Sequence, residues 1–538
     1  MASLLIHNAR LLSSHPGWRP GAADAIAVDG DRIEALGSLE ELQPLINPAT
    51  RIVDAGGGTI IPGLHDTHIH VWKVGNLKTY MLDLRASSSL DEMLSMLERY
   101  HADHPEISWV TARGFNEAAW KEGRIPTRED LDKIIKDKPV YLIRTCAHIA
   151  VGNSKALELA GITADTPAPA GGMIYKDARG HPNGIFSETA LGLISAQIPP
   201  YTKEELKTMV RAAREEFYRY GITAATDPAV DPLLLEAYYE MERAGDLGFR
   251  LQAIPILLPD GGRQPYPIPE LYSSKDLTVN TVKFFSDGGL SGQTAALKRP
   301  YKGSAEKGMP AYGMLRLERE QTLSLCLAAQ EKGLGIATHA IGDAAIEFVI
   351  GLYEELVTAF PSGFRRIEHL GLPEEKHLQA MAVHRIATSM QTVFLSELGR
   401  NFIKYLDRDY LERCYPARSV LRHGILMALS SDAPVVSDLN PFKGMEAAIT
   451  RKDNEGRTIG ADEGIRIEEA LAAYTESAAR ISGVAGCGSL RAGNFADFVI
   501  IDRDPIVTPA EELTAIKVQR TYVGGNCVFQ ADPSVVEW

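Results

Sequence analysis

The sequence predicts an α/β protein centred on a (β/α)8 TIM barrel, with a composite β-sandwich from both termini and a lid-like insertion after the first barrel strand. Three observations lead there. Short apolar runs rich in β-branched residues alternate with amphipathic helices through the middle of the chain. Stretches of strand character broken by Gly and Asp turns occupy the two ends. Histidines, one lysine and one aspartate recur at the ends of the central runs, the face on which barrels of this kind build their sites.

Residues 1–60 contain "SLLIHNARLL", "DAIAVDGDRIEALG" and "RIVDAGGGTIIPG", with "DGD" as a hairpin turn. Residues 484–538 have the same character in "ADFVIIDRD" and "VQRTYVGGNCVFQ", so the two ends are assigned to one β-sandwich. The barrel takes residues 61–483 and opens on "TIIPGLHDTHIH". Residues 75–215 then intervene, far more than one crossover helix needs, and are read as an inserted subdomain over the barrel mouth. The next seven strands are read at "GITAATDP", "RLQAIPIL", "TVKFFSDGG", "GIATHAIGD", "RIEHLG", "RIATSMQT" and "ILMALSSDAP". Helices such as "EELKTMVRAAREEFYRY" and "REQTLSLCLAAQEKG" separate most of them. Near-continuous apolar runs of this kind belong to parallel strands covered on both faces.

Composition narrows the class. The 538 residues are 45% apolar and 23% charged, enough for a large core. A net charge of -14 gives no electrostatic footprint for nucleic acid. The five cysteines, Cys146, Cys326, Cys414, Cys487 and Cys527, form no C-x-x-C pair and imply a reducing compartment. The N-terminus lacks a signal-peptide pattern, and no apolar run reaches membrane-spanning length. A cytoplasmic protein is expected, with no nucleic-acid or membrane partner and with self-association left open.

The chemistry-bearing residues share one position type. His68 and His70 end the first strand, Lys283 lies in the fourth, and His339, His369 and Asp432 end the fifth, sixth and eighth. Alternate residues on a strand point the same way, so H-x-H directs both imidazoles inward. Imidazoles and a carboxylate suit Zn2+ or a similar divalent ion. His68, His70 and Asp432 form one ligand group, and His339 with His369 a second. Glu368 is expected to face outward, toward the helices. Lys283 looks misplaced, since an ammonium about 4 Å from a divalent ion is repelled by roughly 8 kcal/mol at an effective dielectric of 20. A neutral amine or an anionic carbamate removes the conflict.

"PGLHDTHIH", "VKFFSDGGL", "THAIGDAA", "RIEHL" and "SSDAPV" resemble the metal-dependent amidohydrolase superfamily. "PTREDLD", "AHIAVGNSKAL" and "YTESAARISG" followed by "GSLRAGNFADFVIID" resemble its YtcJ-like branch, which includes N-substituted formamide deformylases. The resemblance spans nearly the whole chain. It implies metal binding by His68, His70, Lys283, His339, His369 and Asp432, with Lys283 carboxylated where two ions are held. It also implies hydrolysis of non-peptide C–N bonds. His65 and Asn494 depart from the usual pattern of the branch without touching these ligands.

The function expected is therefore hydrolysis of an amide, N-formyl or N-acyl bond in a small organic substrate. The cofactor is one or two divalent ions, zinc foremost. Asp432 serves as the proton-transfer group and Lys283 as the second catalytic residue. An isomerase, cyclase or lyase that polarises a carbonyl at the same metals is the alternative. A decayed binding scaffold would have lost ligands, and none is lost. Weaker candidates for substrate contact are His148, Arg144, Arg113, Phe115, Trp120 and Gln391. Asp66 is read as a hydrogen-bonding support for the histidine pair, and Asp287 with Gly288 as a turn.

Overall fold

Seven of the eight central runs each form one strand, and the first is divided between two. The computed structural model describes residues 1–13, 23–117, 120–145, 149–169, 172–259, 264–303 and 311–532. The structure is mixed α/β, with five sheets among the described residues. It divides into two compact units, residues 1–71 with 214–538, and residues 72–213.

In the first unit the two chain ends build two sheets. One orders Arg32–Gly37, Ala25–Asp29, Leu4–His7 and Arg51–Asp54. The other interleaves both ends, as Arg10–Leu11, Thr59–Pro62, Phe498–Ile501, Val518–Val523 and Asn526–Gln530. Ile60 pairs with Ile500 and Pro62 with Phe498 in antiparallel register. Leu4, Ile26, Val28, Ile60, Phe498 and Tyr522 share one apolar cluster.

The remaining strands are β1 Leu64–Asp66, β2 Ile222–Val230, β3 Arg250–Pro255, β4 Thr281–Phe285, β5 Gly335–Ala340, β6 Arg365–His369, β7 Ala387–Met390 and β8 Met427–Leu429. β1, β2 and β3 are parallel neighbours, and Leu277–Val279, which leads directly into β4, pairs parallel with β3. β4 to β8 form a second, all-parallel sheet in chain order. Backbone contacts join the two sheets at both margins. Ile256 and Lys283 form a parallel bridge, and Leu257 N–H donates to Lys283 O at 3.2 Å. On the other side Asp432 N–H donates to His68 O at 2.8 Å, and His70 N–H to Ala433 O at 3.0 Å.

Helices Pro232–Arg243, Arg319–Glu331, Asp343–Ala359 and Glu375–Val383 lie between successive strands. The first begins where a cap dictates: Asp231 accepts the Leu234 N–H, and Pro232 occupies the opening turn. None of the described helices is long and apolar enough to cross a membrane.

One boundary differs from the sequence expectation. The run from Thr59 to His70 is not one strand. Thr59–Pro62 pairs within the terminal sheet and Leu64–Asp66 within the parallel one. Gly63 stands at the switch, where a Cβ would meet Thr223 Oγ1 at 2.0 Å. Only glycine lets the two segments separate while the backbone lies against β2.

The unit at residues 72–213 has its own six-stranded sheet, ordered Gly172–Lys176, Pro182–Glu188, Ile149–Gly152, Val140–Arg144, Val110–Phe115 and Leu82–Asp83. Helix Leu90–Asp103 buries Leu90, Met93 and Leu97 in the core of this unit.

Candidate metal centre

His68 and His70 sit just beyond β1, and Asp432 three residues beyond β8, on segments linked by the backbone bonds above. Asp66 fastens them further. Its carboxylate accepts the N–H of His68 at 3.1 Å and of Ser431 at 3.1 Å, as expected of a support. Burial raises the Asp66 carboxyl to about 7, against the pull of these donors. Asp432 Oδ1 lies 3.3 Å from His70 Nε2 and 3.5 Å from His68 Nε2. One ligand atom from each of the three falls within 4.8 Å of the others.

His339 and His369 stand beside this group. The His369 ring centroid is 4.7 Å from that of His68 and 4.4 Å from that of His339. His339 Nε2 is 3.2 Å from Gly288 O and 3.3 Å from Asp287 Oδ1. Asp287 itself accepts the N–H of Ala296, Ile341 and Gly342, which makes it the brace of the loops after β4 and β5. Lys283, in the middle of β4, is wholly buried, and its Nζ has no hydrogen-bond partner among the described residues.

Electrostatics favour a neutral imidazole at His68 and at His369. Burial, reinforced by Lys283, holds His68 well below its ordinary value, and burial with His339 does the same to His369. Burial also lowers the Lys283 ammonium to about 8. Asp432 moves the other way: burial pushes its carboxyl up, but His68, His70 and Lys283 outweigh that and keep it below the usual range. A neutral imidazole beside an ionised carboxylate is what a divalent cation binds. Asp432 Oδ1 and Lys283 Nζ are buried, and neither has a hydrogen-bond partner among the described residues. Such groups are costly unless something else satisfies them, so the residues present fit a metal ion.

Glu368 overturns the outward orientation expected of it. Strand alternation places Arg366 and Glu368 on one face of β6, and that face is interior. Glu368 Oε2 reaches His68 Nδ1 at 2.5 Å, and Oε1 accepts from Arg366 Nε. His369 then ought to face outward. It does not, because His369 and Leu370 adopt positive φ, 73° and 50°, and the turn swings the imidazole inward. A signal for this was present in the sequence: Arg366 and Glu368 carry opposite charges at i, i+2 in the strand RRIEH, a spacing that puts both on one face.

The other candidates separate clearly. Gln391 is buried and uses Oε1 to accept from His369 Nδ1 at 2.5 Å, so it holds that imidazole in place. Phe115 and Trp120 belong to the apolar core of residues 72–213, and Trp120 Nε1–H donates to Ser87 O at 2.9 Å. Arg144 ends Val140–Arg144 and pairs with Glu117, Nε to Oε2 at 2.8 Å. Arg113 lies on Val110–Phe115, partly exposed. His148 lies outside the described residues. His65 is buried between Thr226 Oγ1 at 3.1 Å and Ser482 Oγ at 3.3 Å, and burial lowers it to about 3.

Residues 51–529 match the family described as "Amidohydrolase family". The Bacillus subtilis (strain 168) protein named as amidohydrolase YtcJ is 29% identical over 95% of this chain and 99% of its own. The N-substituted formamide deformylase of Arthrobacter pascens is 29% identical over 98% of each. Among solved structures, an uncharacterized metal-dependent hydrolase from Pyrococcus horikoshii OT3 superposes with a TM-score of 0.77 at 25% identity, covering 94% of this chain and 99% of that one.

Proposed function

We propose, from the premise that this chain belongs to the amidohydrolase family, that it hydrolyses a non-peptide C–N bond, N-formyl or N-acyl, in a small organic substrate. The observation that carries the reading is the buried convergence of His68, His70 and Asp432 next to His339, His369 and Lys283. The N-formyl part of this reading takes its support from the deformylase relative. The architecture we propose is a closed (β/α)8 barrel over residues 61–483, with 75–215 inserted. The hydrogen bonds at both margins of the parallel sheets favour closure. Residues 1–60 and 484–538 form the β-sandwich in this reading, supported by their shared sheet and apolar cluster.

His68, His70 and Asp432 would hold one divalent ion in this mechanism, and His339 and His369 would hold a second, with Lys283, if carboxylated, as a further anionic ligand. When bound, the ions supply Lewis acidity, which polarises a carbonyl and lowers the pKa of water. Asp432 is held ionised by its neighbours and is therefore ready to accept a proton. It takes that proton as the water oxygen bonds to the carbonyl carbon. It returns the proton to the nitrogen as the C–N bond breaks, leaving a carboxylic acid and an amine. A panel of N-formyl and N-acyl amines in 18O-labelled water tests this. One label in the acid product and free amine are expected, whereas an unlabelled isomer or elimination product would assign the site to another reaction.

Two further results follow from the same groups. Protein prepared without chelator is expected to contain about one to two divalent ions per chain, zinc foremost. Elemental analysis checks this, and a fully active protein without metal would overturn it. The lysine adds a pH dependence. Only a neutral amine adds CO2, and a group titrating near 8 is roughly one-tenth neutral at pH 7. Reactivation of metal-free protein by zinc and dissolved CO2, at a fixed CO2 concentration, should therefore quicken about tenfold per pH unit below 8 and level off above it. A rate flat from pH 6 to 8 would remove the carbamate.

A further inference from the structure

We propose that Glu368, clamped by Arg366, is a positioning residue for His68 and makes the His68–His70–Asp432 corner the first to take a divalent ion. The inference rests on the metal-dependent reading above. Glu368 Oε2 stands 2.5 Å from His68 Nδ1, and a carboxylate only accepts. The ring must therefore donate from Nδ1, which leaves the Nε2 lone pair on the side of Asp432, 3.5 Å away. The second oxygen of Glu368 is occupied by Arg366 Nε, and Arg366 Nη2 donates to Thr67 O at 3.2 Å, one residue before His68. Arg366 and Glu368 are both wholly buried. The pair thus aligns the floor of β6 with the segment that carries the histidines and fixes one tautomer of His68.

His369 is held in the same way but by a neutral group. Its Nδ1 faces Gln391 Oε1 at 2.5 Å. The amide orientation follows from Gln391 Nε2, which donates to Ser430 Oγ at 2.8 Å. Ser430 continues through Ser389 Oγ at 3.0 Å to Thr67 Oγ1 at 2.7 Å. One ligand imidazole therefore leans on a carboxylate and the other on an amide. A carboxylate behind the ring increases its donor strength toward a cation more than an amide does, and removing such a partner typically costs about 10- to 100-fold in metal affinity. The two corners differ in this respect, and the His68 corner is the stronger.

Stepwise Co2+ titration of the metal-free full-length protein, followed by visible absorption against a competing chelator, tests the proposal. Two steps are expected, the first tighter. Glu368→Gln should weaken the first by about 10- to 100-fold and bring it toward the second. Gln391→Glu should tighten the second and narrow the gap from the other side. In the metal-free wild type a low-field proton resonance from His68 Nδ1–H is expected, absent in Glu368→Gln. A folded Glu368→Gln protein with an unchanged first Kd overturns the proposal. Should Glu368→Gln not fold, an unchanged second step in Gln391→Glu overturns it. A wild type that takes up no ion instead removes the metal-dependent reading itself.

Discussion

Replacing Lys283 by alanine is expected to abolish hydrolysis and to cost the protein about one divalent ion per chain. The reason is the position of its amine. Lys283 is wholly buried on β4, and Nζ has no hydrogen-bond partner among the described residues. Phe285 lies nearby, 4.9 Å from Nζ to ring centroid, and that is slight compensation for a buried charge. A lysine kept for packing alone would be cheaper as methionine. As the proposed carbamate the side chain would be anionic and would supply the site with oxygen. Lys283→Met preserves the volume and serves as the folding control. Both variants should melt as cooperatively as the wild type while losing metal and turnover. Part of the activity should return when a short carboxylic acid is added with zinc, since it replaces the missing anionic oxygens. Full activity and full metal content in Lys283→Met would show that the side chain is structural.

Asp432→Asn is expected to lower kcat by about 10^2- to 10^4-fold, equivalent to roughly 3 to 5 kcal/mol of barrier. Asparagine keeps an oxygen near His68 and His70 but accepts no proton at neutral pH. It is also the right replacement for the backbone. Asp432 has φ of 59°, a left-handed conformation that asparagine tolerates and alanine resists. The Asp432 N–H to His68 O bond and the Val435 N–H to Asp432 O bond are untouched, so the segment should hold its course. KM for a good substrate should change little compared with kcat. Steady-state kinetics on zinc-loaded protein, with metal content measured alongside, separate loss of proton transfer from loss of the ion. A metal-replete Asp432→Asn enzyme near wild-type kcat would assign the proton to another group.

Much of this protein was legible in local pattern. The eight central strands fall where apolar, β-branched runs lie between amphipathic helices, because burial on both faces leaves that imprint on every residue of a strand. The gathering of His68, His70, His339, His369 and Asp432 followed from their shared place at strand ends, since parallel strands present those ends on one face. Asp66 was legible as a support, being adjacent to the pair it holds.

The remainder depended on packing between residues far apart in the chain. Glu368 meets His68 across 300 positions, and alternation on β6 carries no information about which neighbouring segment its inward face will reach. His369 turns inward through positive φ, a backbone choice that the surrounding structure imposes and that no periodicity encodes. Gln391 looked available to a substrate until His369 and Ser430 were found to occupy its amide. Phe115 and Trp120 carry the composition of a binding surface, yet Leu90, Met93, Leu131 and Val140 bury them in a core of their own. Residue type and spacing limit what a side chain can do. Which partners saturate it is set only when distant segments close around it, because the free energy of a buried polar or aromatic group is decided by the neighbours that replace water.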